Sequence, residues 1–293
     1  MDPLTTYLLL VIIGFFIGII SAMVGIGGGL LSVPILMFLF EQPQNIASAI
    51  STTVIIFTSS MGAYTYFKQK RIDLRTGAYF AILAIPSAFI GGIIADTLDE
   101  AYLVLIFGIL MILVAIRKIL SETLNKSQKT EEKIMKQPLE VSTSYSMIPK
   151  SIEDRVIIDS SGEKFHYKVK LHRALIGALV GGFIGGLLGV GGGVIFVPVL
   201  TSIGNLPAHV GVATSTFTIM FSSSAAFFAR VIGGNILYDY VVALAIGTVI
   251  GARLGALKVK KISSKTLLNI FYFVVIFAGI RTIYQALEAL YFF

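Results

Sequence analysis

A cluster of glycines occurs twice in this chain, in the same setting. Gly25-Ile26-Gly27-Gly28-Gly29 runs into Leu30, Leu31, Ser32, Val33 and Pro34, and Gly189-Val190-Gly191-Gly192-Gly193 runs into Val194, Ile195, Phe196, Val197 and Pro198. The offset from Pro34 to Pro198 is 164 residues, and it carries Pro43 onto Pro207, Ser51-Thr52 onto Ser215-Thr216, Ile72 onto Ile236 and Arg117 onto Arg281 without a gap. The chain is a tandem duplication, so whatever it folds into contains the same half-structure twice.

Composition identifies the solvent of that half-structure. Hydrophobic residues make up 56% of the chain and charged residues only 13%, too apolar for a soluble domain, and several uncharged runs approach the ~20 residues that a spanning helix needs. The fold class expected is an all-α membrane protein. The 29 glycines favour helices over a barrel, because membrane helices pack through small residues and no alternating ten-residue pattern appears. Zero cysteines exclude disulfides, thiolate metal sites and thiol redox chemistry. The first apolar stretch lacks a basic leader, so residues 4–24 are read as a retained helix rather than a cleaved signal.

Helical segments are expected at 4–24, 29–40, 45–67, 74–95 and 101–120, and again at 173–188, 193–204, 209–230, 238–257 and 265–287. Three parts follow: a first transmembrane repeat over 1–120, a soluble linker over 121–172 and a second transmembrane repeat over 173–293. The linker alternates polar and apolar residues on either side of Asp159-Ser160-Ser161-Gly162, which predicts a small β-hairpin. A plain solvated connector is preferred for it over a regulator-binding module.

Charge orients these parts. Lys68, Lys70, Arg71 and Arg75 crowd one short connection and Lys258, Lys260, Lys261 and Lys265 another, whereas Asp96, Asp99 and Glu100 mark a connection without Lys or Arg. The positive-inside rule places the two basic loops and the linker in the cytoplasm and the acidic loop and both chain ends outside. The loop at 258–265 corresponds by the repeat to the acidic outside loop, so the two halves are expected to be inverted relative to each other. That parity requires residues 173–204 to enter and leave on the same side, as a broken or re-entrant helix pair at the Gly-x-Gly-Gly-Gly loop. Nucleic acid is not expected as a partner, since these charges are topogenic and no nucleic-acid motif is present.

Such a pair carries the glycines into the membrane, where irregular backbone persists only if it is buried or lines a cavity. Gly27, Gly28 and Gly29, and Gly191, Gly192 and Gly193, admit unusual dihedrals and the close approach of a ligand. A short helix starting there presents unpaired N–H groups with positive dipole character, an anion site without a fixed charge. The competing reading is tight helix crossing, which is the one adopted for Gly247-xxx-Gly251-xxx-Gly255. Two clusters in an inverted repeat favour substrate binding.

The duplicated G-x-G-G-G-x-x-x-x-P motif, the Ser-Thr pair downstream and the soluble central linker resemble the TauE/SafE sulfite exporter family of membrane permeases, over residues 8–120 and 173–285. The resemblance implies transport of small sulfur-containing or carboxylate anions such as sulfite, thiosulfate or sulfonates, with no ATP-binding machinery in the chain. The partners expected are therefore a small anionic substrate and the lipid bilayer, and no cofactor is called for. Ser51, Thr52, Ser215 and Thr216 are candidate hydroxyl donors to the anion, against the alternative that each bonds back to its own helix. Arg117, Arg230, Arg253 and Arg281 fall near helix ends, where snorkelling outranks a substrate salt bridge, and Arg253 is the possible exception. An intramembrane enzyme is disfavoured, because none of His166, His172 and His209 lies mid-span and no Gly-x-Gly-Asp motif occurs. A passive anion channel or a non-transporting membrane scaffold stays open beside the permease.

Overall fold

The computed structural model describes residues 2–128, 153–234, 236–258 and 276–284. Among these, six helices are long and apolar enough to cross a membrane. They are α1 (Pro3–Val24), α3 (Gln44–Lys68), α4 (Leu74–Thr97), α6 (Leu171–Leu188), α8 (Ala208–Gly233) and α9 (Tyr238–Lys258). The short α2 (Gly29–Leu39) and α7 (Gly193–Pro198) follow the glycine clusters, and α5 (Glu100–Gln128) leads out of the first half. Helix α5 continues beyond residue 120, where its apolar run ends, because Ser121–Gln128 contains helix formers and no Gly or Pro. The expected helix at 265–287 lies partly outside the described residues; 276–284 is helical.

The glycines set the helix boundaries in the same way twice. Gly25 (φ 75°) and Gly189 (φ 70°) adopt left-handed backbone and end α1 and α6. Two further left-handed glycines then redirect the chain in each half, Gly27 (88°) with Gly28 (95°) and Gly191 (78°) with Gly192 (78°), before a helix starts at Gly29 and at Gly193. The prolines act differently in the two copies. Pro34 is accommodated within α2, whereas α7 ends at Pro198 and widens into a π-helical turn over Val199–Ile203, the adjustment expected where a proline removes a donor and crowds the preceding turn.

Helix α1 packs along α9, α4 along α6, and α3 against α8. The 164-residue offset turns α1 into α6, α4 into α9 and α3 into α8, so this contact pattern maps onto itself when the halves are exchanged. Small residues make the first two seams close. A Cβ on Gly251 would strike the Phe15 carbonyl, one on Gly247 that of Val11 and one on Gly255 that of Ile19; Gly186 and Ala88 meet in the same manner between α6 and α4. This is the close-approach packing that holds membrane helices together when water exclusion no longer drives them.

Two strands, β1 (Glu153–Ile158) and β2 (Lys164–Val169), pair antiparallel with Glu153 opposite Val169 and Ile158 opposite Lys164. The expected hairpin is present, but it is not a solvated connector. Arg71 holds Asp159 through Nε and Nη2 at 3.2 and 2.9 Å, Arg155 reaches Asp73 at 2.5 Å, and the Tyr167 hydroxyl donates to Asp73 at 3.0 Å. Asp73 also caps α4 by accepting from the Thr76 N–H. On the other half, Asn205 donates to the Lys168 carbonyl and the Lys170 N–H to that of Gly204. The hairpin thus ties the α3–α4 connection to the segment leading into α8. Long-range arginine–carboxylate pairing of this kind has no periodicity by which to read it from sequence.

Those contacts also order the bundle end to end. Lys170, at the start of α6, is bonded to Gly204, beyond the π-helical turn, so residues 171–204 leave and return to the hairpin end. The Gln69 amide donates to the Ala256 carbonyl, which brings the end of α9 to that same end.

Candidate functional site

The two glycine loops interlock. A Cβ on Gly29 would lie 2.5 Å from the Gly189 carbonyl oxygen, and one on Gly193 would lie 2.7 Å from that of Gly25. Ser51 on α3 donates to the Gly189 carbonyl at 2.7 Å, and its repeat counterpart Ser215 on α8 donates to the Gly25 carbonyl at 3.0 Å. Each half therefore holds the glycine loop of the other.

The meeting point lies at mid-helix. Gly27 and Gly191 both face the same two side chains, Ile55 and Ile219, which correspond by the offset and are buried at 1% and 0% exposure. Ile55 is the twelfth of 25 residues in α3, and Ile219 the twelfth of 26 in α8. The isoleucines close the space between the loops. The N–H groups at the start of α2 and α7 lie beside them; those of Leu31 and Ser32 already reach the Gly28 carbonyl, and those of Ile195 and Phe196 the Gly192 carbonyl, which leaves the preceding N–H groups without an acceptor within their own helix.

The candidate hydroxyls are all engaged within the protein. Besides Ser51 and Ser215, Thr52 donates to the Ser48 carbonyl at 2.8 Å and Thr216 to the Val212 carbonyl at 2.9 Å. Both threonine bonds run back four residues on the same helix.

The arginines separate clearly. Arg253 is exposed on α9, and Arg281 is exposed with its guanidinium 4.6 Å from the Phe38 ring centre. Arg230 does not snorkel. It is fully buried, with Nη1 2.8 Å from Asp96 and Nη2 donating to Ser48 Oγ at 2.6 Å and to the Leu187 carbonyl at 3.0 Å. Asp96 likewise belongs to the last turn of α4 rather than to the acidic connection. A charge therefore does stand inside the bundle, next to the second glycine loop, because a Cβ on Gly189 would meet Ser48. The repeat carried a signal for it: the counterpart of Arg230 is Tyr66, an interior-type residue, and not another loop cation.

Apolar helices held together by glycine seams around a polar interior define a multi-pass helical membrane protein. The chain belongs to the sulfite exporter TauE/SafE family, whose model matches residues 10–282. It is 30% identical over 289 residues to the probable membrane transporter protein YunE of Bacillus subtilis, covering 96% of this chain and 99% of that one. A probable membrane transporter protein of Methanocaldococcus jannaschii is 33% identical over 132 residues, 43% of this chain and 49% of its own. Sulfite exporter TauE/SafE family protein 3 of Arabidopsis thaliana is 32% identical over 78 residues, 27% of this chain and 16% of its own. No solved structure matches. By family the protein is a membrane transporter.

Proposed function

We propose that this protein is a secondary permease that carries small sulfur-containing or organic anions, such as sulfite, thiosulfate or sulfonates, across the cytoplasmic membrane. Two transmembrane repeats, 1–120 and 173–293, lie inverted in the bilayer, each with a re-entrant pair at its glycine loop. The 121–172 linker faces the cytoplasm and both chain ends face outward. The observation that supports this most is the reciprocal interlock of the two glycine loops, Ser51 with Gly189 and Ser215 with Gly25, at the middle of α3 and α8.

Two helix starts approaching one central point present backbone N–H groups to an oxyanion. Gly27 to Gly29 and Gly191 to Gly193 form the walls. Ser51 and Ser215 support those walls from behind through the Gly189 and Gly25 carbonyls, while the neighbouring Thr52 and Thr216 bond back to their own helices. Ile55 and Ile219 pack against Gly27 and Gly191 at the interlocked loops in this conformation, so passage requires the two halves to part there, as alternating access demands. The experiment is a panel of anions screened by thermal shift on purified protein, followed by flux in proteoliposomes. Saturable uptake stimulated by counter-substrate establishes a permease; non-saturating flux establishes the channel alternative, and absence of flux for every anion overturns both.

A further inference from the structure

The two halves perform one structural task with different chemistry. In the first half the Tyr66 hydroxyl, on α3, donates to the Ala22 carbonyl in the last turn of α1 at 2.5 Å. The repeat-equivalent residue of the second half is Arg230, on α8, whose Nη2 lies 3.4 Å from the Gly186 carbonyl in the last turn of α6. A neutral phenol suffices to tie the helix end on one side. Burying a guanidinium and its carboxylate to do the same on the other side costs desolvation that an uncharged pair avoids, so the structural task does not account for the charge.

The surroundings of Arg230 also hold unused hydrogen-bonding capacity. Its Nε is buried without a partner. Ser48 accepts from Nη2, and one helical turn earlier on the same face of α3 the side-chain amide of Gln44 is buried with neither its nitrogen nor its oxygen bonded. Unpaired buried polar groups of this kind are rare in a settled interior. The cluster lies seven residues from Ile55 along α3, about 10 Å at ~1.5 Å per residue, between the central isoleucines and the end of the bundle opposite the hairpin.

Resting on the permease reading above, we infer that Arg230 is the charged anion subsite of the pathway and that Asp96 is its exchangeable counter-carboxylate. In the structure Asp96 occupies the guanidinium through one carboxylate oxygen and is itself 14% exposed. An arriving oxyanion takes Asp96's place on Nη1. The displaced Asp96, now facing an anion in a low-dielectric setting, takes a proton from solvent onto its carboxylate and becomes neutral. The anion and the proton enter together and leave together, which makes the carrier a proton–anion symporter whose affinity rises as pH falls.

Few other charges compete for this role. From α8, His209 lies at the far end of that helix; from α6, His172 and Arg173 lie in its first turn; α3 carries no charge before Lys68. Glu100 accepts from the Gln44 N–H at 2.7 Å, and Asp99 is exposed in the connection between α4 and α5.

The test uses the full chain with isethionate and thiosulfate, which stay ionised from about pH 5 to 8. Adding either anion to weakly buffered wild-type protein should draw a proton from solution per anion bound, and in proteoliposomes an inward proton gradient should accelerate uptake. Asp96→Asn should bind the anion without taking up a proton, and its flux should lose the response to the gradient. Arg230→Tyr, the residue used by the other repeat, should keep the folded protein while weakening anion binding about ten-fold or more, as expected when a charge-assisted contact is lost. Wild-type flux without proton uptake overturns the inference and leaves the permease standing, and so does a folded Arg230→Tyr protein that binds normally. Absence of wild-type flux for every anion overturns the permease reading and this one with it.

Discussion

Ser51 donates its hydroxyl proton to the carbonyl of Gly189, 138 residues away, across a distance of 2.7 Å. The bond belongs to a pair, because Ser215 does the same to Gly25, and together they fasten each glycine loop to the opposite half. Removing either hydroxyl leaves a buried carbonyl without its donor. Ser51→Ala and Ser215→Ala should each cost about 1–3 kcal/mol of stability, read as a lower thermal midpoint in detergent. The effect of the double variant should differ from the sum, since the two bonds hold one junction. Unchanged midpoints would mean that the loops stay in place by packing alone.

The left-handed glycines should tolerate no side chain. Gly28 has φ 95°, and Gly192, at φ 78°, would place a Cβ 2.5 Å from the Gly181 carbonyl oxygen. Gly28→Val and Gly192→Val should abolish flux in proteoliposomes while the protein still purifies as a single species, because a β-branched residue disfavours that backbone region. Loss of the folded protein would assign these glycines to packing, and normal flux would remove them from the pathway.

The hairpin contact should persist through the physiological range and fail only in acid. Burial pushes the Asp159 carboxyl up, but hydrogen bonds from Ser161, from Arg71 and from the Glu163 N–H prevail and hold it well below the usual carboxylate range. A carboxylate depressed in the folded state contributes stability that is present above its unfolded value of about 3.9 and lost as pH falls further. Taken relative to its intrinsic, pH-dependent rate, hydrogen exchange of the β1 and β2 amides should therefore stay constant from about pH 8 to 5 and rise only below about 4. Asp159→Asn should raise it at neutral pH. Unaltered exchange in that variant would show that Arg155, Asp73 and Tyr167 hold the hairpin unaided.

Membrane orientation can be read by labelling a chain that has no cysteine of its own. Asp99→Cys and Lys164→Cys are both at exposed positions, one between α4 and α5 and the other on the hairpin. An impermeant thiol reagent added to intact cells should label the first and spare the second. Labelling of both from one side would contradict the inverted arrangement.

Much of the fold was legible in the chain because its signals are local and repeated. Apolar runs of spanning length, left-handed glycines that end one helix and begin another, and a constant offset of 164 residues all act within a few turns of backbone, so α1 to α4 and α6 to α9 fall close to where the pattern places them. The turn residues Asp159 to Gly162 likewise announced the hairpin.

What a side chain touches across the bundle was not legible. Ser51 and Thr52 are neighbours with the same hydroxyl chemistry, yet one reaches the other half and the other bonds back to its own helix, a difference decided by which face of α3 meets the second glycine loop. Arg253 and Arg230 read alike as cations near helix ends, but only Arg230 turns toward Asp96, on a helix that begins 134 residues earlier than Ala208. The sequence by itself determined the duplication, the membrane solvent and the positions of the backbone breaks, because propensity and hydropathy are properties of neighbouring residues. The tertiary structure decided which polar groups are spent on holding the loops and which remain unpaired beside them, because hydrogen bonding in a low-dielectric interior depends on partners that only packing brings together.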